Sequence, residues 1–162
     1  MLIGVPKEIK NHEYRVALTP ASVQEFTARG HQVVVETHAG AGIGSSDDDY
    51  RASGAAIVDS AEEVFACADM VVKVKEPQAS ERRLLKEDQV LFTYLHLAPD
   101  PDQTRDLVDS GATCIAYETI VDADGGLPLL APMSQVAGRL SVQAGAQCLE
   151  KTHGGRGILL GG

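Results

Sequence analysis

Five side chains of this 162-residue sequence combine reactive chemistry with a place at or just beyond a β-like run: Arg15, Lys75, His96, Tyr117 and Glu118. A guanidinium grips a carboxylate through two parallel hydrogen bonds, an ammonium adds a point charge, and an imidazole exchanges protons near neutral pH. Two cations and an imidazole therefore describe a site for a small carboxylic acid. Each also has a plainer reading. Arg15 can pair with Glu8 or Glu13 at the surface. Lys73 and Lys75 stand two apart in a β-like run, on the face opposite Val72 and Val74, which reads as a solvated stripe. His96 lies between Leu95 and Leu97, and a histidine in an apolar strand is ordinarily a hydrogen-bonded core residue. His12, His31, His38 and His153 lie in polar or glycine-rich surroundings and are weaker candidates.

The elements that must position these groups follow from the hydrophobic pattern. β-branched runs predict strands at 2–5, 32–36, 55–58, 70–75, 90–97 and 112–118. Helical stretches separate them. Thr19 and Pro20 are an N-cap and first-turn proline, with Gly30 closing that helix. A short helix at 47–53 ends at Gly54, and Ser60 with Glu63 forms a capping box. A further helix at 100–109 ends at Gly111, and Pro132 opens a long one through Glu150. Six strands alternating with helices predict an α/β, Rossmann-like parallel sheet with helices on both faces and right-handed crossovers. In such sheets ligands sit at the carboxyl ends of the strands, where the candidate residues fall. Closely spaced prolines and glycines near 125–132 predict a boundary, dividing the chain into 1–128 and 129–162.

Composition removes several classes of function. Fourteen Lys and Arg against 23 Asp and Glu leave a formal charge of −9, with a pI near 4.9. Such a field repels nucleic acid and anionic bilayers. No apolar run approaches the roughly 18 residues of a membrane span, and no signal organisation opens the chain, so a cytoplasmic protein is expected. Cys67, Cys114 and Cys148 are odd in number and form no CxxC pair, which argues against a disulfide framework or a zinc site. No other metal-ligand cluster is present. The run Gly40-Ala41-Gly42-Ile43-Gly44 hints at a dinucleotide loop, but Asp47, Asp48 and Asp49 follow where a pyrophosphate would meet a helix N-terminus. It reads as a turn. Residues 154–162 open a β-like apolar run that stops almost at once, so a fragment is expected.

Four blocks carry a more specific signal. They are Gly4-Val5-Pro6-Lys7-Glu8-Ile9-Lys10-Asn11-His12-Glu13-Tyr14-Arg15-Val16-Ala17-Leu18-Thr19-Pro20, Val72-Lys73-Val74-Lys75-Glu76-Pro77, Phe92-Thr93-Tyr94-Leu95-His96-Leu97-Ala98, and Leu129-Leu130-Ala131-Pro132-Met133-Ser134 with Val136-Ala137-Gly138-Arg139. In this order the sequence resembles the N-terminal part of NAD-dependent alanine dehydrogenases. The resemblance implies a two-domain enzyme that reversibly converts L-alanine to pyruvate and ammonium, commonly as a homo-oligomeric hexamer. It makes 1–128 part of the substrate domain, and 129–162 a connecting helix entering the NAD-binding domain. It also implies that His96 is the general acid/base and that Arg15 and Lys75 hold the carboxylate and carbonyl region. Met133 would line the substrate pocket and Ser134 would contact NAD. No metal, nucleic acid or membrane partner is implied. The Gly-rich loop, the ribose-binding acid and a catalytic Asp of the family lie beyond these residues, so this piece alone is expected to be inactive. Two alternatives stand beside this reading. One is the related N-terminal domain of the NAD(P) transhydrogenase alpha subunit, which lacks equivalents of Lys75 and His96. The other is a truncated, non-catalytic paralogue that binds pyruvate or alanine. Saccharopine dehydrogenases fit the Lys73 and Tyr94 blocks poorly.

Overall fold

The β-branched runs form strands β1 (Leu2–Val5), β2 (Gln32–Glu36), β3 (Ala56–Val58), β4 (Met70–Val72), β5 (Val90–Thr93) and β6 (Thr113–Ala116). They join in one parallel sheet of order β3-β2-β1-β4-β5-β6 in a computed structural model that describes residues 1–161. Register pairs Ile3 with Val33 on one side and with Met70 on the other. The helices are α1 (Pro20–Ala28), α2 (Asp47–Ala52), α3 (Ala61–Cys67), α4 (Ala79–Arg82), α5 (Pro101–Asp109) and α6 (Ala131–Leu149). The expected doubly wound α/β sheet is therefore present.

Alternation along the strands divides the core between two faces. Ile3, Val5, Val33, Val35 and Val72 pack with Val23 of α1 and Tyr50 of α2. Val71 and Leu91 pack with Phe65 of α3, Leu85 and Leu107 of α5. Gly4 makes the second face possible: a Cβ there would stand 2.7 Å from both Ala68 Cβ and Val64 Cγ1, so only glycine lets α3 lie this close to β1.

Caps fix where the helices begin. The Thr19 side chain accepts from Ser22 N ahead of Pro20, and Asp100 Oδ1 accepts from Gln103 N at 2.9 Å. Ser60 accepts from Glu63 N, supplying the hydroxyl half of the expected box. A full reciprocal box closes at Ser46 and Asp49 instead.

Two expectations need correction, and one helix is additional. β4 stops at Val72 and β5 at Thr93, so Lys73, Lys75 and His96 stand beyond the strands. α4 is a single turn after Pro77 that the sequence pattern did not announce. Residues 158–160 form no strand, because Gly154 and Gly157 take positive φ and fold the chain back, Gly157 N donating to Leu149 O at 2.7 Å.

The chain divides into two compact units, Met1–Tyr117 and the residues from Glu118 onward. In the second unit Asp122 Oδ1 accepts from Asp124 N and Gly126 N, forming a turn ahead of α6. Among the described residues no helix is long and apolar enough to cross a membrane.

Candidate active site

The strand order reverses between β1 and β4, the switch point at which crossovers leave in opposite directions and open a crevice. The segment after β1 carries Glu8, Glu13 and Arg15, and the segment after β4 carries Lys73 and Lys75. Arg15 meets Glu13 in a two-point pair, Nε to Oε1 at 2.7 Å and Nη2 to Oε2 at 2.5 Å. Of the two surface partners the spacing allowed, Glu13 therefore pairs with it. The pair is not a loose surface contact, since the Glu13 side chain is only 6% exposed. Arg15 holds the Glu13 carboxyl below the usual carboxylate range, and the Lys75 ammonium adds to that pull. Arg15 and Lys75 thus converge electrostatically on one carboxylate. A cleft of about 140 Å³ lies beside the Arg15–Glu13 pair, bordered by Glu8, Glu13, Arg15, His38 and Gly42.

β5 adds the imidazole. Thr93 Oγ1 donates to the Lys75 carbonyl at 2.9 Å, which ties the end of β5 to the segment after β4. Leu95 is buried in the core, and its carbonyl accepts from Gln103 Nε2 of α5 at 2.6 Å. His96 then takes φ 48, in the left-handed region, and its side chain is exposed. The core-histidine reading fails because this turn takes the chain out of strand alternation. Tyr117 packs edge-on against Phe92 and Tyr94, at centroid distances of 4.3 and 5.0 Å. Burial, with Glu8 and Tyr94 nearby, pushes its hydroxyl well above the ordinary tyrosine range.

The solvated reading of Lys73 is overturned. Its side chain is fully buried, with Nζ 2.6 Å from Glu81 Oε1 and 3.3 Å from Glu8 Oε2. Glu8 Oε1 accepts from Val74 N at 2.6 Å, and Glu81 Oε2 accepts from Gln78 N at 2.7 Å. Glu36 is also buried and accepts from Lys7 N at 2.8 Å. Burial raises the proton affinity of both Glu8 and Glu36. Sequence reasoning missed these buried carboxylates. The available signal was Lys73 itself, a cation beside an apolar run that proves central in the sheet.

Gly40 to Gly44 forms a tight turn around the 3-10 segment Ala41–Ile43. Asp47 accepts from Thr37 Oγ1 at 2.7 Å and from His38 N at 2.8 Å, so it closes the loop after β2. This is the turn expected from the sequence. Met133 and Ser134 stand in the first turns of α6, in the second unit. Met133 is 36% exposed, and Ser134 Oγ donates to Leu130 O at 3.4 Å. Glu118 opens that unit, in the 3-10 turn Tyr117–Thr119. Among the described residues no His, Cys, Asp and Glu group is arranged to hold a metal.

Comparison with known proteins agrees with the architecture. The family described as "Alanine dehydrogenase/PNT, N-terminal domain" matches residues 4–137. The chain belongs to this family. Across all 162 residues it is 59% identical to alanine dehydrogenases of Methanococcus maripaludis and Halomonas elongata, covering 43% and 44% of those proteins. The chain thus spans less than half the length of these alanine dehydrogenase/PNT relatives. A solved L-alanine dehydrogenase superposes on the whole chain with a TM-score of 0.89 at 55% identity, over 45% of its own length. A transhydrogenase from Sinorhizobium meliloti matches 73% of this chain and 35% of its own, with a TM-score of 0.69 at 28% identity.

Proposed function

We propose that this chain is the substrate-binding part of an NAD-dependent alanine dehydrogenase, a cytoplasmic homo-oligomer that interconverts L-alanine with pyruvate and ammonium. The carrying observation is similarity along the whole of this chain to part of proteins named alanine dehydrogenase, joined to a guanidinium and an ammonium at the switch point of the sheet. In this reading 1–128 belongs to the substrate domain, and 129–162 is the helix that leads into the cofactor domain.

This sheet does not fit a dinucleotide. Its one glycine-rich turn is followed by Asp47, Asp48 and Asp49 in the first turn of α2, and Asp47 already serves the loop after β2. NAD, which would accept hydride from the alanine Cα, is therefore assigned to the part of the relatives' length that this chain does not span, with Ser134 as this chain's contact. The work left to these residues is binding and proton transfer. Arg15 fixes the substrate carboxylate in a planar two-point contact, and Lys75 stabilises negative charge on oxygen as the carbonyl forms. His96 takes a proton from the attacking water and returns it as the amine leaves. Met133 keeps the substrate-pocket role that the family resemblance implies.

The test is a chimera in which this chain replaces the matching N-terminal part of the Methanococcus maripaludis relative, with the unaltered relative as control. Alanine-dependent NADH formation is expected, with a fall of about a hundredfold or more in His96→Ala. A folded chimera that oxidises no alanine defeats the proposal. A loss below about tenfold removes His96 from its role. Hydride exchange between nicotinamide nucleotides without alanine would favour the transhydrogenase reading. Pyruvate binding without turnover would favour a binding module.

A further inference from the structure

We infer that Glu8, together with Lys73 and Glu81, is a positioning residue for Lys75: a buried carboxylate–ammonium–carboxylate bridge fixes the backbone from which Lys75 meets the substrate. The inference rests on the proposed role of Lys75.

The three side chains are 0 to 3% exposed. Stability does not account for such a bridge, because desolvating three charges offsets most of their attraction, and well-packed apolar groups of similar volume serve a core as well or better. Its connections point elsewhere. β4 ends at Val72, and Lys73 N still donates to Phe92 O at 3.0 Å. Val74 N turns instead to Glu8 Oε1 at 2.6 Å. Val74 is buried, so without Glu8 this amide would be an orphan donor. The peptide next along leads into Lys75, whose carbonyl accepts from Thr93 Oγ1. Lys75 is thus held one residue before its own amide and again at its carbonyl. Lys73 anchors the bridge from below. Its second partner, Glu81, accepts from Gln78 N and so fixes the start of α4. Glu8 belongs to the same segment as Arg15 and adds to the field that favours the guanidinium charge. One carboxylate therefore spans the two sides of the switch point and sets the spacing of the two cations.

Two variants of the chimera and of the 162-residue chain test this. Glu8→Gln keeps an acceptor but removes the charge facing Lys73. The combination Glu8→Leu, Lys73→Met and Glu81→Gln makes the cluster neutral, a replacement that cores tolerate, and leaves the Val74 amide without its acceptor, which loosens this segment. In the chimera both are expected to lower kcat/KM for alanine about 10- to 100-fold, mainly through KM, with KM for NAD within twofold. A merely structural role would lower the active fraction and leave both KM values unchanged. In the 162-residue chain, the Val74 and Lys75 amides of the triple variant should exchange with solvent at least about tenfold faster than in the parent, with the β2 amides unaffected. Alanine kinetics within twofold of the parent chimera, or unchanged exchange at Val74 and Lys75, overturns the inference. Should the parent chimera oxidise no alanine, the functional reading falls, and the exchange data alone decide whether the bridge orders this segment.

Discussion

Replacing Gly42 with alanine tests whether close packing holds the Arg15 segment in place. A Cβ at position 42 falls on the Tyr14 carbonyl oxygen, and lies 2.9 Å from its carbon and 3.0 Å from its Cα, where ordinary contacts begin at 3.4 Å. The obstacle is backbone, so no side-chain rotation relieves it. The Glu13–Arg15 segment must retreat by about an ångström, a displacement that in an active site costs on the order of a hundredfold in rate. Overpacking of this kind destabilises by about 1–3 kcal/mol. At about 4 °C per kcal/mol, the melting midpoint should fall by roughly 4–12 °C. Thermal unfolding of the 162-residue chain, followed by circular dichroism, measures the first effect, and alanine kinetics of the chimera measure the second. Gly44→Ala is the control. Gly44 has φ 77 but open space around it, so alanine there is strained by about 1 kcal/mol without pushing on Tyr14. A Gly42→Ala protein that melts within a degree or so of the parent and keeps alanine kcat/KM within twofold refutes the reasoning.

Three smaller predictions follow from buried polar groups. Tyr50 is fully buried and its hydroxyl donates to the Leu18 carbonyl at 2.9 Å, so Tyr50→Phe should cost about 1–2 kcal/mol in urea unfolding. Burial pushes that hydroxyl up to about 12 from 10. The unfolded chain then ionises first, and stability should decline as pH rises from about 10 to 12, less steeply in Tyr50→Phe. Glu13 has the opposite sign. Arg15 depresses its carboxyl below 4.5, so its contribution is present above that value and disappears as pH falls through the lowered one. Urea midpoints measured across this acid range should lose that component in Glu13→Gln.

Element positions were legible because local signals agreed. The β-branched runs at 32–36 and 70–72 and the caps at Thr19 and Ser60 are written in adjacent residues. The ends of β4 and β5 were not. Lys73, Val74 and Lys75 alternate as a strand would, and only the carboxylates of Glu8 and Glu81 show that side chains take over part of the pairing here. The Lys73 error has a definite cause. Alternation implies a wet face only where a sheet has one, and β4 lies between β1 and β5 with helices packed on both sides. His96 misled for a related reason, since flanking leucines imply burial only while the backbone stays extended, and φ 48 ends that.

The same break that hid these residues makes the site. Within the ladder, backbone amides and carbonyls satisfy one another and leave side chains nothing to do but pack. Past Val72 and Thr93 that pairing thins to Lys73 N on Phe92 O and Tyr94 N on Val74 O, and side chains supply the rest: Glu8 accepts from Val74 N, Thr93 donates to Lys75 O, and Gln103 donates to Leu95 O. Each substitution fixes a backbone segment that presents a charged or titratable group, Lys75 or His96. The acidic excess of the chain has an inner use here, since Glu8 and Glu13 offset the mutual repulsion of Arg15, Lys73 and Lys75. Cations gathered without those carboxylates would repel and spread, leaving no fixed geometry in which a small carboxylate could be gripped.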